Sequence, residues 1–210
     1  MTAAAPRFEG LVLAAGRSER AGVFKPAHRH RDRPLVVHAV DRLGEWCARV
    51  VVVAGHRHDE VSGLVAGRGR VHVAVNHAFD EGMFSSVRTG AAALSTRVEG
   101  FFALPVDCPL VAREVFATLI ETFDRAGGQR AVVPVHGDRG GHPVLLPGAA
   151  RAAILAAGPD TILRTIVRAH DAVRVPVASD SVLLDLDTPG DIARLARTDV
   201  DDADGHEPTP

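Results

Sequence analysis

The chain reads as an α/β fold, a mostly parallel sheet covered by helices on both faces. Apolar, β-branched runs alternate with helical patterns almost from end to end, the rhythm of parallel strands joined by crossover helices. The run 50–54 carries four consecutive valines, as a strand buried on both faces does. A length of 210 residues, with 46% apolar and 24% charged side chains, suits one ordinary globular domain and leaves little room for a second core.

Residues 8–14 form a buried first strand, followed by a loop of small residues. Residues 34–46 place Leu35, Val36, Ala39, Val40 and Leu43 at helical spacing behind a proline suited to a first turn. The valine strand 50–54 follows, then a short helix at 59–66 and an alternating strand at 70–75. Residues 85–94 are helical, 101–106 form an apolar strand, and 111–123 form an amphipathic helix. Strands at 131–135 and 143–146 precede two short helices at 149–156 and 161–169. A strand at 172–177, a second extended piece at 182–186 and a helix at 189–196 complete the core. No internal repeat and no Pro- or Ser-rich linker divides the chain, so residues 1–197 are read as one domain.

The formal net charge of −2 hides an asymmetry. Five acids and no Lys or Arg lie between Thr198 and Pro210, and the rest of the chain is net +3. That acidic segment, 198–210, has no large apolar residue after Val200 and is expected to be disordered. A mildly basic body suits an anionic small molecule. Nucleic-acid binding would call for a stronger basic stripe with interleaved aromatics, and the chain has one Trp and no Tyr. No apolar run approaches the ~18 residues of a membrane span, and residues 1–7 do not resemble a secretory signal. Two cysteines make no disulfide framework, so a reducing cytoplasm is the expected location.

The chemistry concentrates in loops after strands, where open α/β sheets bind ligands. After the first strand, Ala14, Ala15 and Gly16 let a backbone approach a ligand closely and aim N–H groups at an anion. Arg20 and Lys25 add side-chain charge. Of 24 basic residues Lys25 is the sole lysine, and a compact ammonium is suited to phosphate. The spacing is neither Gly-x-Gly-x-x-Gly nor a P-loop. The histidine pairs His28/His30 and His56/His58 sit beside arginines without zinc-ligand spacing. Cys108 lacks an evident base and reads as a buried thiol.

The segment from Leu13 through Gly16, Ser18, Arg20, Gly22 and Lys25 to Pro26 resembles the signature loop of nucleotidyltransferases related to the molybdenum cofactor guanylyl- and cytidylyltransferases. Gly82-Met83-Phe84-Ser85-Ser86, Asp107-Cys108-Pro109, Gly141-His142-Pro143 and Asp185-Leu186-Asp187-Thr188-Pro189 resemble further motifs of that family, in family order. The resemblance implies a three-layer, Rossmann-like nucleotidyltransferase fold with a mostly parallel, mixed sheet. It further implies that Leu13, Ala14, Ala15 and Gly16 hold the nucleoside triphosphate, with Arg20 and Lys25 on its phosphates. Asp107 would bind Mg²⁺, with Asp187 as a second ligand or water-mediated helper. Ser85 and Ser86 would face the base, Asn76 would hydrogen-bond nucleotide or acceptor, and His142 would line the acceptor side.

Each residue also has a plain reading: Asp107, Ser85 and Ser86 as helix caps, Asp187 as a helix-entry residue, and His142 as part of a turn. Two departures from the family stand out. Ala21 replaces a usual methionine, and 26–34 is a basic stretch (His28, Arg29, His30, Arg31, Arg33), read as a solvated hairpin or as a sign of a more anionic acceptor or a docking partner. The resemblance, with Ala-Ala-Gly at 14–16 and Ser-Ser-Val at 85–87, implies transfer of CMP from CTP to the phosphate of molybdopterin cofactor, with pyrophosphate released. A molybdenum hydroxylase or its chaperone is a further implied partner. The alternatives are a nucleotidyltransferase for a sugar or polyol phosphate, a glycosyltransferase using Asp185 and Asp187, and a non-catalytic cofactor carrier.

Overall fold

The computed structural model describes residues 7–195. The acidic segment 198–210 and the end of the last predicted helix at Ala196 lie outside the described residues. In chain order the elements are β1 (Phe8–Ala14), β2 (Arg29–His30), β3 (Arg33–Pro34), α1 (Leu35–Gly44), β4 (Arg49–Ala54), α2 (His58–Val65), β5 (Val71–Val75), α3 (Met83–Ala93), β6 (Gly100–Pro105), α4 (Arg113–Arg125), β7 (Val132–His136), β8 (Arg139–Gly140), β9 (Val144–Pro147), α5 (Ala150–Ala156), α6 (Leu163–Ala169), β10 (Val173–Pro176) and α7 (Pro189–Leu195).

The main sheet has the order β10-β7-β9-β6-β1-β4-β5, with β8 paired to β7. Strands β6, β1, β4 and β5 run parallel, as do β7 and β10. Strand β9 is antiparallel to both neighbours, so the sheet is mixed but mostly parallel.

Alternation along the central strand builds the layers. Val12 and Ala14 of β1 join a core with Leu35, Val36 and Val40 of α1, Val61 of α2 and Phe116 and Leu119 of α4. Leu11 and Leu13 point to the other face, where Val87 of α3, Ile154 of α5 and Ile166 of α6 close a second core. Successive side chains in a strand face opposite ways, so a wholly apolar strand requires cover on both sides, and the result is helix, sheet, helix. Trp46 stacks on Phe116 beyond the end of α1, with ring centroids 6.1 Å apart.

One predicted element is corrected. Residues 182–186 are not extended strand, because 180–183 coil into a short 3₁₀ turn. The Ser179 side chain accepts from the Ser181 N–H, and the Leu184 N–H donates to the Ser181 carbonyl. Those local bonds compete successfully with a ladder, and the Val182 carbonyl is already taken by the His142 N–H at 2.9 Å. The basic stretch forms the small β2–β3 hairpin, turning at Arg31 and Asp32 in left-handed backbone. Within it Arg29 donates to the Asp32 carbonyl and Arg33 pairs with Asp41.

Because β6, β1, β4 and β5 are parallel, their carboxyl ends open on one edge. There the loops carrying Gly16, Gly55, Asn76 and Asp107 become neighbours.

Candidate active site

The loop after β1 is folded tightly against its neighbour. The His56 N–H donates to the Ala15 carbonyl at 2.9 Å. A Cβ on Gly55 would lie 2.8 Å from that same oxygen, so the approach requires glycine. Leu13, Ala14 and Ala15 are buried, and the Leu13 carbonyl is taken by the Val106 N–H. Gly16 is exposed, with open space where a side chain would project.

Beyond Gly16, Ser18 adopts left-handed backbone, and its Oγ accepts from the Lys25 N–H at 3.2 Å. This short loop closure turns Lys25 inward, leaving it only 6% exposed.

The Lys25 ammonium bridges two carboxylates. It donates to Asp107 Oδ2 at 3.0 Å and to Asp187 Oδ1 at 2.8 Å, and Arg20 reaches the other Asp187 oxygen at 2.6 Å. Asp107 follows the end of β6. Asp187 is held by the entry to α7, where Pro189 takes the first helical position and Thr188 and Asp191 cap one another. The Thr188 N–H and hydroxyl donate to Asp191, and the Asp191 N–H donates back to Thr188 Oγ1.

The capping alternative for Asp107 is not realised, since α4 is preceded by Ala112, whose N–H donates to Ser181 Oγ. The hydroxyls of Ser85 and Ser86 do not cap α3 either, as that helix starts from Gly82.

Asp185 completes the acidic group. Ligand oxygens of Asp107, Asp185 and Asp187 all lie within 4.8 Å of one another. Sequence reasoning noted the Asp-x-Asp pair but assigned the site only to Asp187. The available signal was the two-residue spacing, which in extended backbone places both side chains on one side.

The electrostatics follow from this packing. Burial works against the Lys25 charge, but the hydrogen bond to Asp187 and the charge of Asp107 outweigh it, holding the ammonium above the ordinary lysine value. The Lys25 hydrogen bond pulls Asp187 below the ordinary carboxylate range. Burial, with the like charges of Asp107 and Asp187, pushes Asp185 up. The Lys25 ammonium and the Arg20 guanidinium still leave the three acids one positive charge short. An all-oxygen set at this spacing suits a hard divalent cation such as Mg²⁺ or Mn²⁺.

Asn76 is buried, and its amide is spent internally. It donates to Ser85 Oγ at 2.8 Å and Ser86 Oγ at 3.0 Å and accepts from the Ala78 N–H at 2.9 Å. It therefore fixes the two serines that begin α3. His142 lies close enough to Asp107 to feel its charge. Burial lowers its pKa, partly offset by Asp107 and the Ala103 backbone, and its buried Nδ1 has no protein partner. A Cβ on Gly141 would fall 2.2 Å from the Val182 carbonyl, so this turn also depends on glycine. Burial raises the Cys108 thiol well above its ordinary value, which leaves it a poor nucleophile.

A pocket short of cation beside a turn that can receive an anion is what a nucleotidyltransferase requires, and the chain is one by kinship as well. Residues 10–174 match the family model described as the MobA-like NTP transferase domain, and the chain belongs to that family.

Among curated relatives, the molybdenum cofactor cytidylyltransferase of Escherichia coli K12 is 24% identical over 181 residues, covering 86% of this chain and 91% of the relative. Among solved structures, Rv0371c of Mycobacterium tuberculosis H37Rv aligns with a TM-score of 0.75 at 23% identity, covering 91% of this chain and 98% of that one. A complex of Rv0371c with manganese aligns at 0.72 and 23% identity over 91% and 99% of the two chains. These structural likenesses bear on the fold. Among the described residues no helix is long and apolar enough to cross a membrane.

Proposed function

We propose that the protein transfers CMP from CTP to the phosphate of a molybdopterin-type cofactor, releasing pyrophosphate. The observation that carries the reading is the Lys25 ammonium held between Asp107 and Asp187 at the open edge of the sheet. The cytidylyl choice is supported by the curated relative's activity and by Ala-Ala-Gly at 14–16.

In this reading, exposed Gly16 and the backbone around it receive the triphosphate, and Arg20 and Lys25 neutralise its charge. An oxygen of the acceptor phosphate attacks the α-phosphorus as the bond to the bridging oxygen breaks, and the electron pair leaves with pyrophosphate. The acceptor phosphate is already ionised at neutral pH, so no general base is needed. The residues chiefly position two anions and offset their repulsion. Asp107, Asp185 and Asp187 would hold the divalent cation, which when bound supplies charge neutralisation to the phosphates.

Ser85 and Ser86, fixed by Asn76, face the base, and neutral His142 borders the acceptor. Thermal shifts with Mg²⁺ and each nucleotide, together with pyrophosphate release, test the assignment. CTP is expected to give the largest shift, and an equal or larger shift with GTP overturns the base assignment.

A further inference from the structure

Next to His142 the surface opens into a groove of about 1540 Å³, running from Gly82 at the start of α3 to the β7–β10 edge and α6. Four guanidinium groups line it. Arg164 and Arg168 are one helical turn apart on α6, Arg130 precedes β7 and Arg174 lies on β10. Among the described residues none of the four is paired with a carboxylate. Arg130 donates to the Asp171 carbonyl at 2.7 Å and Arg174 to the Asp138 carbonyl at 2.9 Å. Both bonds go to neutral acceptors and leave the charges uncompensated. Glu81, Asp160 and Asp171 also line the groove without forming an ion pair with these arginines.

Apolar side chains line part of the groove as well. Met83 is 64% exposed and Ile162 56% exposed, although soluble surfaces seldom leave such side chains grouped in a concavity without a use.

We infer that this groove binds an elongated acceptor: a phosphate monoester with an apolar body and a second anionic group, taken by Arg164, Arg168, Arg130 and Arg174. The inference rests on the nucleotidyltransferase reading for its first phosphate, which lies at the His142 end. The second anion is a property of the groove itself. Guanidinium groups not committed to carboxylates are suited to phosphate or carboxylate through paired N–H donors. A small molecule is favoured over a macromolecule because the groove adjoins the reacting end and is concave and partly apolar.

Two simple probes test it by calorimetric titration: hexyl phosphate, and the bisphosphate of hexanediol. The bisphosphate is expected to bind about tenfold tighter or more, the scale of one added charge-assisted contact. In Arg164→Gln/Arg168→Gln the two probes should bind alike, while Arg164→Lys/Arg168→Lys keeps part of the difference. Equal binding of the probes to wild type, or an unchanged preference in the Gln variant, overturns the inference. Tighter binding of an acidic peptide or a single-stranded oligonucleotide than of the bisphosphate also overturns it, in favour of a macromolecular partner.

A CTP thermal shift with Mg²⁺ is run on the same samples. A CTP response without bisphosphate preference sinks only the groove. Absence of any nucleotide response in wild type sinks the functional reading, and the groove is then judged on the bisphosphate preference alone.

Discussion

Replacing Lys25 by Met removes the ammonium while keeping much of the side-chain volume. Its consequences can be worked from the structure. In the folded protein Lys25 stands 3.0 Å from Asp107 and 2.8 Å from Asp187, within a group of three carboxylates. Breaking a fully buried pair costs about 3–5 kcal/mol. Here Asp107 and Asp187 keep 24% and 28% of their side-chain surface, so solvent screening brings the cost to about 1–2 kcal/mol. At about 2–4 °C per kcal/mol for a chain of this length, Tm without divalent cation should fall by roughly 2–8 °C.

The acids left behind lack their internal cation. Mg²⁺ or Mn²⁺ should therefore restore Tm in the variant more than it raises Tm in wild type, and Mn²⁺ binding without nucleotide should tighten. Under the proposed function, transfer should nevertheless slow by at least ~2 kcal/mol in transition-state terms, roughly 30-fold, as expected if Lys25 neutralises the phosphates. Scanning fluorimetry with and without EDTA, Mn²⁺ titration and pyrophosphate release measure the three effects. An unchanged Tm with unchanged metal affinity would refute the idea that Lys25 acts as the resident counter-ion, and a wild-type rate would refute its role in transfer.

Other perturbations give distinct outcomes. Asp107→Ala should also slow transfer by at least ~2 kcal/mol, and pyrophosphate release at the wild-type rate contradicts this. Asp185→Asn should stabilise the metal-free protein by roughly half a kcal/mol, screened because the side chain is exposed, and should weaken Mn²⁺ binding. A lower metal-free Tm argues against like-charge repulsion at that position. Asn76→Ala leaves Ser85, Ser86 and the Ala78 N–H without their partner and should cost about 2 kcal/mol of stability. It should also raise KM for the nucleotide more than it lowers kcat, and an unaltered KM removes Asn76 as the residue positioning the serines.

The pH dependence has two limbs. Asp187, held low by Lys25, adds stability that is present above its ordinary value of 3.8 and is lost as pH falls through its lower folded value. Lys25, held high, adds stability that is present below 10.5 and is lost as pH rises through its folded value. Urea unfolding in EDTA across pH should show the acid limb flatten in Asp187→Asn, and an unaltered limb assigns it to other carboxylates.

Much of the fold was legible in the sequence because its signals are local. The valine run 50–54 and the apolar strands 8–14 and 101–106 can be buried only within a covered sheet, and the amphipathic helices supply the cover. The stretch 182–186 misled because its apolar alternation resembles a strand. The local hydrogen bonds from Ser179 and Ser181, with the claim of His142 on the Val182 carbonyl, override that propensity. The loop of small residues, the lone lysine and the acid before Cys-Pro were each visible as candidates. Asp185 was named only in the glycosyltransferase alternative, because nothing in a linear reading tells that both acids of the Asp-x-Asp pair meet a third from a distant loop.

By itself, the sequence determined the alternating α/β architecture, the chemically special first loop and the singular status of Lys25, since periodicity, glycine placement and residue scarcity are all written along one dimension. The tertiary structure alone decided that Lys25, 82 residues from Asp107 and 162 from Asp187, would sit between them. It also decided that Asn76 spends its amide on two serines, and that four arginines from α6, β10 and the segment before β7 line one groove. The meeting of Lys25 with its acids depends on parallel strands ending at a common edge, and the arginine groove on how α6 packs beside β7 and β10; both are fixed only when the cores on both faces of the sheet close.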